Sequence, residues 1–438
     1  MPSHGADADT RLTRIATRAR QDPTATFNNL LSVITVEFLT ACFQSLRRDA
    51  APGVDAMTWE DYADHLPDRL TELVARLHRL GYRPSPVRRV HIPKGTGGSR
   101  PLGIPTVEDK LVQEALRRLL AAVFEADFLD CSYGFRPGRG CHTALRALEQ
   151  TLVHQPVNYV IDADIRGFFD HVDHARLLEC VRTRVTDPRV LRYLVRFLKA
   201  GVLEDGVRLP ETDAGVPQGG VISPLLSNIF LHYALDRWFH DTVRPRLHGY
   251  AALNRYADDF VIGVQHEDEA RAVLAALRAR LAQCGLSLAE EKTRLIIFSR
   301  FATDRAQRST LPPGTFDYLG FTHYWGTNPR GKRVLSRRTS RTKFRQKVQQ
   351  FTAWLAGVRH RLSLPELWAR MRDKVQGHYA YYGVPGNARG IQRYLAVIKR
   401  VIFRGLNRCS QRRRWTWVGF TRYEARYPLP AARLVHHW

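Results

Sequence analysis

Hydrophobic residues recur at every third or fourth position over several long segments of the chain, with polar residues between them. This spacing puts the apolar residues on one face of a helix, so it predicts a series of amphipathic helices. The predicted helices cover residues 28–48, 59–80, 107–128, 181–200, 223–238 and 267–284. Ser223 and Pro224 fit the cap and first turn of one helix, and Gly285 fits the end of another.

Shorter segments alternate apolar and polar residues, which is the pattern of half-buried strands. Residues 88–93 predict a short strand, and the Gly-rich residues 94–100 after it predict a flexible loop. Residues 159–165 predict a strand in which aspartates alternate with apolar residues, and residues 254–264 predict a hairpin around a tight acidic turn. After about residue 336 the pattern predicts mostly helices.

The composition is that of a globular protein with ample material for a core. Of 438 residues, 44% are hydrophobic and 25% are charged, which excludes wholesale disorder. No segment approaches the roughly 20 apolar residues of a membrane-spanning helix, and the N-terminus has no apolar signal-peptide core. We therefore expect a soluble, cytoplasmic protein with no membrane partner, and the Ala- and Arg-rich composition indicates a bacterial host.

The basic residues are concentrated at one end of the chain. The net charge is +25, and residues 331–438 hold 25 Lys and Arg against 3 Asp and Glu. Because so few acids cannot neutralise these bases, the region predicts a polyanionic partner. Nucleic acid is the first candidate. Aromatic residues lie among the bases, where some belong to the core and others can stack on nucleobases or support the arginines.

Two short segments combine carboxylates with an apolar strand. One holds Asp162 and Asp164, and the other is Tyr256-Ala-Asp258-Asp259. Neighbouring carboxylates repel each other unless a cation lies between them, and Mg²⁺ is a hard cation that suits such ligands. Each segment alone is equally typical of a solvated strand end or a surface turn. The other motifs and their order decide between these interpretations.

Further motifs follow one another along most of the chain. They lie at residues 49–55 with 59–62, 92–94, 100–105, 133–139, 215–228, 255–259, 291–293 and 316–321. The run Gly-Val-Pro-Gln-Gly-Gly-Val-Ile-Ser-Pro-Leu within them is the most specific. In this order the motifs resemble the reverse transcriptases of the group II intron type, also called intron maturases.

The resemblance implies an α+β fold of the right-hand polymerase type. It implies an N-terminal extension over residues 1–80, and fingers and palm with an antiparallel palm sheet over residues 81–330. A basic helical thumb or maturase region, often called domain X, would cover residues 331–438. The features at 377–387 and 427–438 also match that region.

The resemblance further implies an RNA-directed DNA polymerase that uses two Mg²⁺ ions. It assigns catalysis and metal binding to Asp164, Asp258 and Asp259, with the ligand role of Asp259 less defined. Asp162 lies two residues before the matching aspartate, and we expect it to lie outside the ligand set. Two ions of this kind activate the primer hydroxyl and stabilise the leaving pyrophosphate.

Four residues are expected to contact the incoming nucleotide. They are Lys94, Arg100, Phe169 and Gln218. The two basic residues flank a Gly-rich loop and can neutralise a triphosphate. Phe169 lies five residues after Asp164, where the polymerase pattern places an aromatic ring that excludes a ribose 2′-hydroxyl. The alternative for Phe169 is a core position, which we predict for Phe168.

A larger set of basic residues is expected to contact nucleic acid. They are Lys292, Arg337, Arg338, Arg341, Lys343, Arg404 and Arg408. The partners implied are an RNA template with a DNA primer, dNTPs and a group II intron RNA. Contact would be mainly to phosphates, so RNA affinity should fall steeply as salt rises.

Three other functions fit the same residues. One is a reverse transcriptase domesticated for defence, repair or a CRISPR-linked system, and another is a non-catalytic RNA-binding maturase or chaperone. A polymerase acting only on DNA or only on RNA is a third. Many members of the family continue into an endonuclease with paired cysteines, but after Cys284 only Cys409 remains, so we expect no target cleavage here.

Overall fold

The computed structural model describes residues 5–93, 98–204, 206–209, 213–216, 218–301, 311–408 and 415–438. Within these ranges the chain forms fifteen α-helices and eleven strands. The helices are α1 (Gly5–Gln21), α2 (Val36–Ser45), α3 (Trp59–Ala63), α4 (Leu66–His78), α5 (Val107–Phe124), α6 (Cys141–His154), α7 (Phe168–His171), α8 (His174–Arg182), α9 (Pro188–Leu198), α10 (Ser223–Leu231), α11 (Glu267–Gln283), α12 (Arg341–Val358), α13 (Leu364–Tyr382), α14 (Ala388–Asn407) and α15 (Trp417–Arg426).

The strands form three sheets. They are β1 (Val87–Pro93), β2 (Ser99–Ile104), β3 (Tyr159–Asp164), β4 (Val202–Glu204), β5 (Val207–Leu209), β6 (Ala251–Tyr256), β7 (Asp259–Val264), β8 (Arg294–Ile297), β9 (Phe316–Tyr318), β10 (Phe321–Thr327) and β11 (Arg333–Thr339). The strand orders are β2-β1-β4-β5, β6-β7-β3-β8 and β11-β10-β9. The predicted mixture of helices with antiparallel sheets is confirmed.

The predicted acidic hairpin is β6–β7. The two strands pair antiparallel, with Ala251 opposite Val264 at the open end and Tyr256 opposite Asp259 beside the turn. β7 is buried along nearly its whole length. A buried central strand leaves only its ends accessible, so the acidic residues of this hairpin gather at the turn.

A second hairpin, β1–β2, pairs Arg88 with Ile104 at one end and Pro93 with Ser99 at the other. The strand at 88–93 was predicted. The first two residues of β2 were expected to lie in a loop, and no secondary structure was predicted for the rest of it. β1 also pairs with β4 in parallel, so this sheet is mixed. The third sheet, β9–β10–β11, was not predicted either.

Two predicted helices are each divided in two. The segment 59–80 forms α3 and α4, and α4 has Pro67 in its first turn. The segment 181–200 instead holds the end of α8 and all of α9, where Asp187 caps the helix and Pro188 is its first residue. A proline fits the first turn of a helix but not its interior, so each proline marks a new helix.

The segment 223–238 begins as the α-helix predicted there. Pro224 lies in the first turn of α10, as expected. After Leu231 the helix widens into π-helical turns over His232–Asp236 and Trp238–Val243. Such wide turns are uncommon and change which side chains face inward.

The chain divides into two compact units. Of the described residues, the first unit holds those within 5–93, 98–144 and 163–294, and the second holds those within 145–162 and 295–438. In the first unit α5 packs against α1, α2 and α10. In the second unit α14 packs against α12 and α13. The expected boundaries near residues 80 and 330 stay predictions.

Among the helices that the structure describes, none is both long enough and apolar enough to cross a membrane.

Candidate active site

The turn between β6 and β7 holds the predicted acidic pair in the first unit. Ala257 is buried and adopts a left-handed backbone conformation with φ 55°. Asp258 and Asp259 follow it, and both side chains are half-buried. A left-handed alanine is sparsely populated, so the surrounding structure must hold this turn in place.

Asp164 is the last residue of β3. Its backbone carbonyl accepts a hydrogen bond from Ala289 N (2.8 Å), and the next residue, Ile165, forms a bridge with Leu288. These bonds fix the direction in which the strand ends. The carboxylate of Asp164 accepts a 2.5 Å hydrogen bond from Lys292 Nζ. The predicted nucleic-acid contact Lys292 therefore lies at the acidic centre.

The carboxyl group of Asp258 is affected by burial and by its neighbour Asp164. Burial raises the pKa of Asp258, and the negative charge of Asp164 raises it further. The hydrogen bond to Asp164 in turn raises the pKa of Lys292. The site therefore carries negative charge that a cation would stabilise. In the described structure the ammonium of Lys292 supplies part of the positive charge needed.

The donor set fits Mg²⁺ that enters with its substrate. Within the described ranges, no three or more His, Cys, Asp or Glu side chains are grouped so as to hold a metal ion by themselves. Mg²⁺ in phosphate-handling enzymes is commonly held by one or two carboxylates together with substrate phosphates. Asp164 and Asp258 match that kind of open site better than a closed metal cage.

Three of the four predicted nucleotide contacts lie together in the first unit. Arg100 Nε donates to Gln218 Oε1 (2.6 Å), and the guanidinium lies 5.8 Å from the centre of the Phe169 ring. Gln218 also donates to Asp170 Oδ1 (3.3 Å), and its backbone carbonyl accepts a bond from Gly103 N. The fourth predicted contact, Lys94, lies outside the described residues.

Phe168 and Phe169 face different surroundings. Phe168 is buried, as predicted for the core partner, whereas Phe169 is half-exposed and forms an edge contact with it. The Phe169 carbonyl accepts a hydrogen bond from Val216 N (2.7 Å). Phe169, Gly215 and Gln218 also line a cavity of about 450 Å³. The ring thus borders open space instead of being enclosed by the core.

Sequence reasoning missed the part of Asp170 in this arrangement. Its carboxylate accepts from Gln218, which is 48 residues away in the chain. The only signal was a third acidic residue shortly after Asp164, and Asp is common in exposed turns.

In the second unit, most of the predicted nucleic-acid contacts are exposed. Those exposed are Arg338 on β11, Arg341 and Lys343 on α12, Arg404 on α14 and Arg408 after it. α12 begins at Arg341, directly after Ser340, whose hydroxyl caps the helix. These side chains are accessible to a polyanion.

The prediction for Arg337 is wrong, because its guanidinium is buried with 2% of the residue exposed. It donates to Glu149 Oε2 (2.8 Å) and to the Leu145 carbonyl (3.1 Å). Successive residues of a strand face opposite sides of the sheet, so Arg337 points inward while Arg338 points outward. Arg337 therefore stabilises the second unit instead of contacting nucleic acid.

Comparison with known proteins identifies the class of this site. Residues 92–323, slightly more than half of the chain, match the reverse transcriptase (RNA-dependent DNA polymerase) family. The chain is 36% identical over 284 residues to protein YkfC of Escherichia coli K12. The match covers 58% of this chain and 74% of YkfC.

Two longer relatives are encoded by introns. The group II intron-encoded protein LtrA of Lactococcus lactis subsp. cremoris is 40% identical over 181 residues, or 41% of this chain and 30% of LtrA. The COX1/OXI3 intron 2 protein of Saccharomyces cerevisiae is 32% identical over 255 residues, or 58% of this chain and 27% of that protein.

The chain belongs to the reverse transcriptases, which are RNA-directed DNA polymerases. Parts of the chain are in addition similar to intron proteins, of which one is the group II intron-encoded protein LtrA.

Proposed function

We propose that the chain extends a DNA primer on an RNA template by nucleotidyl transfer at Asp164, Asp258 and Asp259. The observation that supports this proposal is geometric: Asp164 ends β3, Asp258 lies in the turn that leads into the neighbouring strand β7, and Lys292 holds the Asp164 carboxylate. An RNA chaperone has no need of such a charge arrangement.

Asp164 and Asp258 would hold two Mg²⁺ ions, with Asp259 beside them. When bound, such ions activate the primer 3′-hydroxyl and stabilise the charge on the leaving pyrophosphate. Asp258 lies at a turn and Asp164 at a strand end, so both can meet a triphosphate that arrives from solvent. Lys292 would leave Asp164 when Mg²⁺ enters with the substrate, because the ammonium and the metal ion compete for one carboxylate.

The neighbouring side chains would orient the incoming nucleotide. Arg100, whose Nε donates to Gln218, would supply a cation beside the acidic centre, and Lys94 would add a second one. A guanidinium in a fixed position stabilises triphosphate charge with little reorganisation. The half-exposed Phe169 ring would lie against the sugar and exclude a ribose 2′-hydroxyl, which selects dNTPs.

The exposed bases of the second unit would bind the template–primer duplex and a group II intron RNA. Phosphate contacts of this kind release counterions, so affinity should fall steeply with salt. In this proposal the first unit contributes the palm and fingers of a right hand, and α12 to α14 contribute the thumb.

Primer extension tests the proposal directly. Purified full-length chain would receive an RNA template, an annealed DNA primer, dNTPs and Mg²⁺. We expect extension by the wild type, and a loss of at least about a thousandfold in Asp164→Asn and Asp258→Asn, because each removes a charged metal ligand. Asp162→Asn is the matched control on the same strand, and it should keep its rate within a fewfold.

Two outcomes would overturn the proposal. A wild-type chain that binds RNA tightly but does not extend the primer would favour the RNA-binding maturase instead. Equal extension by wild type and Asp258→Asn would remove the acidic turn from the mechanism. Parallel reactions with a DNA template and with rNTPs test the template and sugar assignments.

A further inference from the structure

Arg255, two residues before the acidic turn of the first unit, is completely buried. Its Nη1 donates to Asn228 Oδ1 (3.0 Å) and to the Ala257 carbonyl (3.0 Å). Its Nε donates to Asp236 Oδ1 (2.7 Å), and its Nη2 donates to Ser132 Oγ (2.7 Å) and to the second oxygen of Asp236. These contacts use the full fork of a guanidinium, which an ammonium cannot reproduce.

One of these acceptors belongs to the acidic turn itself. Ala257 is the left-handed residue directly before Asp258, and such a conformation is unfavourable for an alanine. Its carbonyl accepts from Arg255, so the hydrogen bond holds the peptide that joins Ala257 to Asp258. Any rotation of that peptide would swing the Asp258 side chain.

The same turn is held from a second side. A Cβ atom added to Gly134 would lie only 2.5 Å from Ala257 N, so the two backbones are in direct contact. Asn228, which accepts from Arg255, also donates to the Gly134 carbonyl (2.7 Å). Arg255 and Asn228 thus join the turn to the loop that packs against it.

The counter-ion of Arg255 is supplied by an unusual helix. Asp236 is fully buried and is the last residue of the π-helical turn His232–Asp236. This wide turn follows directly after α10, the helix that supplies Asn228. Two of the partners of the guanidinium, Asn228 and Asp236, therefore come from one continuous helical segment.

We propose that Arg255 is a positioning residue, which through Asp236, Asn228 and the Ala257 carbonyl fixes the direction of the Asp258 carboxylate. The proposal rests on the proposed function of the acidic centre. Arg255 would touch neither metal nor substrate. Its effect would be to keep the turn in the one conformation that points Asp258 toward Asp164.

A buried arginine also stabilises a fold, so the test needs a matched control. Arg184 in the same unit is similarly buried, with 4% exposed. It donates to the carbonyls of Ala25 (3.0 Å) and Pro23 (2.9 Å) and pairs with Asp127. Its bonds hold the N-terminal part of the unit and not the acidic turn.

The experiment compares Arg255→Lys with Arg184→Lys in the full chain. Both should lower the midpoint of urea unfolding. Only Arg255→Lys should lower the maximal single-turnover extension rate, by roughly 10- to 100-fold, with the dNTP KM nearly unchanged, because a misplaced catalytic group slows the reaction more than it weakens binding.

Metal binding supplies a readout that does not depend on activity. Mn²⁺ binding would be followed by EPR on a complex of protein, a 3′-terminated primer–template and the next dNTP. Arg255→Lys should weaken it by about tenfold, the order expected when a residue that orients a ligand is changed. Arg184→Lys should leave it within about twofold of wild type.

If Arg255→Lys does not fold, Ser132→Ala and Asn228→Ala each remove one bond of the guanidinium and should show smaller changes in the same direction. Unchanged rate and Mn²⁺ affinity in the folded variants would overturn the positioning role. An inactive wild type would refute the proposed function alone, because the Mn²⁺ comparison would still test Arg255.

Discussion

Basic residues of the two units are found in two contrasting surroundings. In the first unit, Arg255 and Arg184 are buried, and each donates several hydrogen bonds to carbonyls and a carboxylate. In the second unit, Arg341, Lys343 and Arg404 are exposed on helices in a region with very few acids. The comparison teaches that burial and partners, and not charge alone, determine which bases can meet RNA.

One strand contains both kinds of residue. Arg337 and Arg338 are adjacent on β11, yet the first is buried against Glu149 and the second is exposed beside the Tyr324 ring. Neighbouring positions of a strand therefore give a direct test of the comparison within a single unit.

The largest effect on folding is expected from Arg337→Ala. It removes the buried guanidinium from the Leu145 carbonyl and from Glu149, which keeps its hydrogen bond from Trp438 Nε1. We expect a loss of about 3 kcal/mol in the free energy of unfolding, near the lower end for a broken buried pair because Glu149 is partly exposed. Urea denaturation measures it.

Arg338→Ala is the control for that prediction. It should change the free energy of unfolding by less than about 0.5 kcal/mol, as surface substitutions usually do. It should instead weaken RNA binding. A reversed pattern, in which Arg338→Ala unfolds the protein and Arg337→Ala only weakens RNA binding, would contradict the burial assignment.

The next largest effect is expected on RNA affinity. Replacing Arg341, Lys343, Arg404 and Arg408 together with Ala should weaken RNA binding by about 100-fold at low salt. The slope of log affinity against log salt should become shallower by about 3, since each lost phosphate contact removes roughly 0.7–0.9. Fluorescence anisotropy over a salt series measures both quantities.

An equal loss of charge in the first unit supplies the control for RNA binding. Four exposed arginines there pair with acidic neighbours: Arg47 with Asp49, Arg237 with Asp241, Arg271 with Glu267, and Arg278 with Glu290. Replacing those arginines with Ala should change RNA affinity by less than about threefold, since nearby acids already offset their charge. Equal losses from both sets would mean that net charge alone drives binding.

A pH effect of intermediate size is expected from His378 in the second unit. Its ring stacks on Tyr394 with centroids 3.5 Å apart, and among the described residues neither ring nitrogen has a hydrogen-bond partner. Burial lowers the pKa of His378 to about 3. The unfolded chain therefore binds a proton between pH 6.5 and 3 that the folded chain does not, and stability falls as pH falls through that window.

From pH 7 to pH 5 this residue should lower the free energy of unfolding by about 2 kcal/mol. His378→Phe keeps a ring in the stack and removes the titrating group, so urea denaturation of the variant should show a pH dependence weaker by that amount. Identical pH dependence in wild type and variant would mean that folding does not lower the pKa of His378.

The smallest effect is expected from Phe169→Ala. Removing the half-exposed ring should raise the kcat/KM for an rNTP relative to the matching dNTP by roughly tenfold, since about 1.4 kcal/mol of steric exclusion corresponds to that factor. Phe168→Leu, a change in the buried neighbour, should lower stability and leave the ratio unchanged. If the rNTP-to-dNTP ratio changed in Phe168→Leu but not in Phe169→Ala, Phe169 would not be the ring that contacts the sugar.

Strong local patterns made much of the fold predictable. The helices α5 and α11 lie within the segments predicted for them, and the hairpin β6–β7 begins at Ala251, before its predicted start at residue 254, and ends at Val264 as predicted. β2 was missed because it contains Pro101 and Gly103, residues that indicate a loop, and it is a strand only because β1 pairs with it.

The third sheet and the buried arginines could not be read from local pattern. β11 is rich in arginine, so its alternation resembles a charged surface segment. Arg337 is buried because Glu149, 188 residues away, supplies its counter-ion. Likewise, the sequence indicated Asp164 and Asp258 separately, but only the fold brings Lys292 to Asp164 and Asp236 to Arg255.

The central claim is that the chemistry belongs to the acidic centre and the binding to the exposed bases of the second unit. Its most direct test measures template–primer affinity and single-turnover extension on two variants, Asp258→Asn and the fourfold Ala variant of Arg341, Lys343, Arg404 and Arg408. Asp258→Asn should bind as tightly as wild type and fail to extend, while the fourfold variant should bind weakly and extend at the wild-type rate once saturated. If either variant lost both template–primer binding and extension at saturation, the separation of chemistry from binding would be contradicted.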